Sequence, residues 1–120
     1  MINCLIVGLG GAIGAILRYL ISLFQSSKTT FPYATLVTNL IGALIIGVVA
    51  GLVLNGNINE KLTLFLKVGI CGGFTTFSSF ALESNNMITS GKTIESMIYI
   101  IISIIGCIMF VTIDEILVKR

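Results

Sequence analysis

A polar and aromatic segment at positions 69–84, GICGGFTTFSSFALES, interrupts an apolar stretch of the sequence. Gly72 and Gly73 lower helix propensity, and a helix break within lipid is tolerated only where the freed carbonyls find protein or ion partners. Phe77 and Phe80 lie three residues apart and so share one helical face. Beside these rings the sequence supplies three hydroxyl groups, those of Thr75, Ser78 and Ser79. We interpret the segment as a candidate site, and a packing seam of small residues with core aromatics is the alternative.

The polar groups of this segment indicate which ligands it could bind. Hydroxyl and amide donors without a counter-charge suit a small, strongly hydrated anion that exchanges water for hydrogen bonds. The edge of a phenylalanine ring is electropositive and could contact such an anion, whereas its face attracts cations. Backbone carbonyls released at a break are instead ligands for a hard cation such as Na⁺. One break could therefore serve a structural cation while the neighbouring helix serves an anion.

Other polar side chains lie within apolar stretches, where each costs free energy unless it faces protein or water. Asn39 offers an amide, and Thr35 lies one turn earlier on the same helical face. An interhelical packing hydrogen bond is the alternative to a pore role for Asn39. Tyr99, Ser103 and Cys107 recur at every fourth position and form a weakly polar stripe. For Ser103 alone, a bond to its own helix is the simpler interpretation.

Two charged side chains border these stretches. Arg18 must snorkel, pair with an acid, or face an aqueous vestibule where it attracts anions. Glu83 follows the phenylalanine run and is expected at a pore mouth or at the membrane interface, with no partner evident from the sequence. Because no carboxylate falls in the middle of an apolar stretch, a proton-coupled exporter is not favoured. The sequence has no histidine, the usual general base, so an enzyme is not predicted.

Composition predicts an integral membrane protein. Hydrophobic residues make up 56% of the 120 residues and charged residues only 10%, with a mean hydropathy of +1.10. A helix needs roughly 20 mostly apolar residues to cross a lipid bilayer. Four stretches qualify, at about 3–24, 33–54, 62–82 and 96–117. We therefore predict one all-α transmembrane domain over 1–120, with four helices of which the third is broken, and short turns between them.

The loops carry nearly balanced positive charge. Lys and Arg in loops orient membrane proteins, and a small difference allows insertion in both directions. One side has Lys61, Lys67, Lys119 and Arg120, and the other has Arg18, Lys28 and Lys92. This balance permits an antiparallel, dual-topology dimer, and a single orientation that the count resolves poorly is the alternative. The net charge of +2 is too small to indicate a nucleic-acid partner.

Glycines four residues apart also occur in three places. The pairs are Gly10/Gly14, Gly47/Gly51 and Gly69/Gly73. Small residues at this spacing let two membrane helices approach closely. We therefore expect these pairs to form close-packing faces.

The motif GGFTTFSSF at 72–80 resembles the third-helix signature of the CrcB/Fluc fluoride channels. The similarity covers essentially the whole chain and includes GGAIGAILRY at 10–19 and ATLVTNLIG at 34–42. The resemblance implies a dual-topology dimer of four-helix subunits in the bacterial inner membrane. It also implies two narrow fluoride pathways along the subunit interface and a central structural Na⁺. The expected activity is passive, selective export of cytoplasmic fluoride, which protects the cell from fluoride.

The resemblance also assigns roles to the candidate residues. Phe77 and Phe80 are similar to the pore-lining aromatic pair, and Asn39 to the asparagine whose amide orders them. Gly72 and Thr75 match the positions whose backbone carbonyls bind Na⁺. Arg18 is similar to the vestibule arginine, and Tyr99 with Ser103 to the polar track on the fourth helix. Glu83 and Thr35 match two residues of the permeation route. Ser78 and Ser79 join the candidate pore residues because of their hydroxyls beside the rings.

Two other functions share some of these features. A small multidrug-type exporter would have four short helices and dual topology, but it requires a carboxylate within its first span. A membrane-assembly subunit without transport activity would explain the glycine pairs but leaves the polar run at 72–84 without purpose. Within the channel hypothesis, the chain could pair with itself as a homodimer or with an oppositely oriented paralogue.

Overall fold

The computed structural model describes residues 1–118 of the chain, and Lys119 and Arg120 from the charge count lie outside that range. The described residues form helices joined by short turns. One of them is a π-helical segment, Leu64–Cys71. The α-helices are α1 (Ile2–Ser22), α2 (Tyr33–Leu54), α3 (Glu60–Thr63), α4 (Gly72–Phe74), α5 (Phe77–Thr89) and α6 (Thr93–Val118).

Within residues 1–118, four stretches are long and apolar enough to cross a membrane, in agreement with the predicted all-α class and number of spans. They are Ile2–Ser22, Tyr33–Leu54, Glu60–Thr89 and Thr93–Val118. The third span runs to Thr89, well past the predicted end at 82, and the fourth starts at Thr93 instead of 96. The polar residues after position 82 therefore continue the helix, and the expected connector is only a tight turn.

That turn depends on Gly91. Its φ is +84°, a left-handed conformation that glycine adopts without steric cost. The N–H of Lys92 donates to the carbonyl of Met87 at 2.8 Å, and the N–H of Gly91 donates to that of Ile88 at 3.1 Å. This pair of bonds is a Schellman motif, which satisfies the last carbonyls of a helix. It places the start of α6 directly against the end of α5.

Glycines bring α1 into backbone contact with the third span. A Cβ at Gly10 would lie 2.6 Å from the carbonyl oxygen of Phe65 and 2.9 Å from the Cα of Gly69. A Cβ at Gly14 would meet the carbonyl oxygen of Ile70, again a backbone atom. Only glycine allows this approach, so α1 and the third span form one packed pair.

A second packed pair consists of α2 and α6. A Cβ at Gly47 would lie 2.9 Å from the Cβ of Asp114, and one at Gly51 would lie 2.6 Å from the Cβ of Val118. The three glycine pairs are thus confirmed as close-packing faces. Their contacts are made within the chain.

The third span is broken, as predicted, but not at Gly72 and Gly73. Gly72 has helical angles, with φ −62° and ψ −39°. Thr75 is extended, with φ −78° and ψ 156°, and so is Thr76, with φ −150° and ψ 121°. The prediction of a break at the glycine pair was therefore wrong. Gly73 is needed for another reason, because a Cβ there would meet the backbone of Gly11 on α1.

Candidate functional site

Asn39 of α2 holds the break open. Its Nδ2 donates to the carbonyl of Thr76 at 3.1 Å, and its Oδ1 accepts the N–H of Thr76 at 2.9 Å. One side-chain amide thus replaces both backbone hydrogen bonds that a continuous helix would give to Thr76. A break inside lipid requires such a replacement because water does not reach the backbone there.

Thr76 also starts the next helix. Its Oγ1 accepts the N–H of Ser79 at 3.2 Å, which is the usual N-cap arrangement for α5. In an unbroken helix the N–H groups of Thr76 and Ser79 would bond the carbonyls of Gly72 and Thr75. Both N–H groups are directed elsewhere, so these two carbonyls are released. They are the same two carbonyls that the resemblance assigns to a cation.

The first turn of α5 carries the two phenylalanines. Their ring centroids lie 5.4 Å apart with an interplanar angle of 45°. Phe80 is 7% exposed and also packs on Tyr99, with centroids 5.2 Å apart. Phe77 is 77% exposed. One ring is therefore anchored in the core, while the other projects from the surface of the chain.

A groove of about 390 Å³ runs along α6 beside these rings. Five predicted site residues line it: Asn39, Thr75, Phe77, Phe80 and Ser103. Ser103 is buried, and its hydroxyl has no hydrogen-bond partner within residues 1–118. The expectation that this hydroxyl bonds its own helix is therefore wrong. The groove holds a buried polar group whose hydrogen-bonding capacity is unused, in a wall that is otherwise largely apolar.

A second cavity, of about 410 Å³, is more polar. Its lining includes Arg18, Thr35, Thr76, Ser79 and Glu83. The Nε of Arg18 donates to the carbonyl of Gly73 at 3.2 Å, so the guanidinium also satisfies a carbonyl at the end of α4. Arg18 thus joins the polar cavity to the break.

Glu83 has two hydroxyl partners that the sequence did not reveal. Thr35 Oγ1 donates to its Oε1 at 2.7 Å, and Tyr99 Oη donates to its Oε2 at 2.9 Å. Tyr99 is completely buried. The three residues link α2, α5 and α6 and place a carboxylate between the polar cavity and the protein core.

Most of the predicted residues thus line either the groove or the polar cavity, and these two cavities meet at the break. Thr76 lines both cavities and was not among the predicted site residues, although a threonine directly before the first residue of a helix is a typical N-cap signal. Ser78 is exposed and lines neither cavity, and Tyr99 lies behind them in the core. Gly72 is exposed, with open space beside its Cα.

Comparison with known proteins identifies the family. Residues 5–114 match the family model described as CrcB-like protein, Camphor Resistance (CrcB). A protein of Ruminiclostridium cellulolyticum named fluoride-specific ion channel FluC is 43% identical, with 99% of this chain and 94% of the relative aligned. A protein of the same name from Clostridium perfringens is 43% identical, with 96% of this chain and 92% of the relative aligned. Another from Shewanella halifaxensis is 38% identical, with 98% of this chain and 97% of the relative aligned. The chain therefore belongs to the CrcB-like family.

Proposed function

We propose that this chain forms a passive, fluoride-specific ion channel. The observation that carries the proposal is the groove, which is lined by Phe77, Phe80 and the buried hydroxyl of Ser103, a group without a hydrogen-bond partner in residues 1–118. A hydroxyl donor and electropositive ring edges suit a small anion and provide no counter-charge that would trap it. The names of the relatives support fluoride as that anion.

Selectivity follows from the same groups. A narrow pathway with fixed donors suits the smallest halide, while chloride is larger and gains less from each hydrogen bond. The carboxylate of Glu83 is held by two hydroxyl donors, so its position at the cavity is fixed. Ser79 and Arg18 line the polar cavity and would supply donors along the route. No step requires a covalent intermediate, which agrees with a transport function.

The proposed physiology is defence against fluoride. Hydrogen fluoride enters cells as a neutral weak acid and dissociates at cytoplasmic pH, so fluoride accumulates inside. In the bacterial inner membrane, a potential that is negative inside drives the anion out through a passive channel. Energy coupling is therefore unnecessary.

We propose that two copies of the chain complete the pathway as an antiparallel homodimer. The groove is open on one side, and Phe77 at its edge is 77% exposed, which would leave a pore-lining ring in contact with lipid in a single copy. The nearly balanced loop charge supports opposite orientations of the two copies. A second chain lying on the groove would exclude lipid and narrow the space available to an anion.

The released carbonyls of Gly72 and Thr75 fit a structural Na⁺. Carbonyl oxygens are hard ligands, and exposed Gly72 could present its carbonyl to a cation shared with a second copy. When bound, Na⁺ would supply a fixed positive charge beside the break and compensate the released carbonyls. The side chain of Thr75 does not compete, because its Oγ1 donates to the carbonyl of Cys71 at 2.7 Å.

Replacing Na⁺ by K⁺ throughout purification is expected to destabilise the assembled protein. A ligand at about 100 times its dissociation constant stabilises the folded state by about 2.7 kcal/mol. Thermal unfolding of the detergent-solubilised protein in equal concentrations of the two chlorides measures the difference. Equal unfolding midpoints in Na⁺ and K⁺ would contradict a sodium site.

The channel function is tested by fluoride release from liposomes that contain only this chain. A potassium ionophore starts the efflux, and chloride-loaded liposomes serve as the control. We expect fluoride release without chloride release, since the donors suit the smaller anion. If release appears only after a paralogous chain is added, the channel is a heterodimer and not a homodimer. Absence of release in both cases would overturn the channel proposal, and a multidrug-type exporter or an assembly subunit would then be the alternatives.

A further inference from the structure

We propose that Phe31, in the loop between α1 and α2, is a positioning residue that keeps the hydroxyl of Tyr99 on Glu83. The inference rests on the proposed channel function, because it gives a loop outside the spans a role in ordering the permeation route. Phe31 does not contact Glu83 in any bond or ring contact of the described chain. Its influence must therefore pass through Tyr99.

The ring of Phe31 is one of two that hold Tyr99. Its centroid lies 5.6 Å from that of Tyr99 at an interplanar angle of 75°, an edge-to-face contact. The ring of Phe80 packs on Tyr99 at 5.2 Å. A tyrosine hydroxyl has little freedom once its ring is fixed, because rotation about two bonds sets its position. These two rings therefore determine where the Tyr99 hydroxyl points.

The loop is built to hold Phe31 in place. Gln25 Nε2 donates to the carbonyl of Phe31 at 2.9 Å, and Gln25 Oε1 accepts the N–H of Ala34 at 3.0 Å. The N–H of Phe31 donates to Thr29 Oγ1 at 3.2 Å. Both backbone polar groups of Phe31 are thus bonded, and the Gln25 side chain links its carbonyl to the first turn of α2.

A further bond joins this loop to the turn before α6. Lys92 Nζ donates to Thr30 Oγ1 at 2.5 Å, and Lys92 also lies 4.0 Å from the carboxylate of Glu95. Lys92 precedes the helix that carries Tyr99. Two contacts therefore connect the loop to the start of α6: the bond from Lys92 and the ring contact between Phe31 and Tyr99.

The substitution Phe31→Leu tests the role in transport, because leucine keeps an apolar side chain but removes the ring edge. We expect fluoride efflux to be about 3- to 10-fold slower, the range that corresponds to loss of one aromatic pair. Phe24→Leu, the same change at a residue that is 88% exposed in the same loop region, is expected to leave efflux unchanged. Equal rates for the two variants would overturn the proposal.

A double variant tests the route of the effect. If Phe31 acts through the Tyr99 hydroxyl, then adding Phe31→Leu to Tyr99→Phe should slow efflux no further than Tyr99→Phe alone. If the double variant instead slows efflux by the product of the two single fold-changes, Phe31 acts independently of that hydroxyl and the positioning role is overturned. Gln25→Leu gives a second variant that leaves both rings intact. It is expected to reproduce part of the Phe31→Leu effect by releasing the loop.

A fluorescence measurement tests the contact without fluoride transport. The sequence has three tyrosines and no tryptophan, so Tyr19→Phe with Tyr33→Phe leaves Tyr99 as the only tyrosine emitter. In this background, Phe31→Leu should increase quenching of Tyr99 by acrylamide, and Phe24→Leu should not. Unchanged quenching would overturn the inference even if the channel conducts. If quenching increases in a protein that releases no fluoride, the ring contact is supported and the channel function is refuted.

Discussion

Replacing Asn39 by leucine is expected to abolish fluoride release and to lower the free energy of unfolding by about 2–6 kcal/mol. The substitution removes the partners of both the N–H and the carbonyl of Thr76, and each buried backbone group left unpaired costs about 1–3 kcal/mol. The break would then close into a helix or rearrange, which would move Phe77 and recapture the carbonyl of Gly72. Denaturant unfolding in mixed micelles and liposome efflux measure the two effects.

Asn55→Leu, directly after the end of the same helix, provides a control. The Nδ2 of Asn55 donates one exposed hydrogen bond, at 2.6 Å, to the carbonyl of Val118. Water can replace that bond, so we expect a loss below about 1 kcal/mol and continued fluoride release. If Asn39→Leu behaves like Asn55→Leu, then the amide of Asn39 does not maintain the break.

Hydropathy predicted the four spans because lipid leaves the backbone few alternatives to a helix. The second span, Tyr33–Leu54, has the predicted bounds, 33–54. The same reasoning underestimated the third span. Hydropathy decreases after position 82, whereas the helix continues to Thr89 because its backbone bonds and the Gly91 turn do not require apolar side chains. Helix ends are therefore the part of the fold that composition predicts least well.

The position of the break illustrates a second limit. Helix propensity predicts a weak point at Gly72 and Gly73, but propensity does not distinguish a glycine that loosens a helix from one that admits a neighbouring backbone. Gly73 is of the second kind, because it faces Gly11. The actual break depends on Asn39, which lies 37 residues from Thr76. Such a pairing becomes visible only when α2 has been placed beside α5.

The site residues were found by type, but their connections were not. Isolated polar side chains in apolar helices identified Asn39, Thr35 and Tyr99 as candidates. No partner for Glu83 was evident from the sequence, since Thr35 and Tyr99 lie 48 and 16 positions away from it. Their convergence on one carboxylate follows from the packing of α2, α5 and α6. Polar residues in a membrane segment thus predict that a network exists, and the three-dimensional arrangement determines its members.

Replacing Phe77 by isoleucine is expected to slow fluoride release by about 3- to 10-fold while leaving folding and association intact. Isoleucine keeps a large apolar side chain but lacks the electropositive ring edge, and an aromatic contact contributes about 0.5–1.5 kcal/mol beyond its buried area. Because Phe77 is 77% exposed within the chain, its loss removes little core packing. Liposome efflux measures transport, and size-exclusion chromatography measures association.

Comparison with Phe80 and Phe24 separates transport from assembly. Phe80 is 7% exposed and packs on Tyr99, so Phe80→Ala should also destabilise the fold, by about 3–5 kcal/mol. Phe24→Ile, at a position 88% exposed, should change neither property. A Phe77→Ile protein that remains associated but conducts poorly supports a ring that contacts the anion. The opposite result would identify an assembly subunit: the unsubstituted protein releases no fluoride, and Phe77→Ile no longer associates. An assembly function depends on the contact surface and not on the electrostatics of the ring.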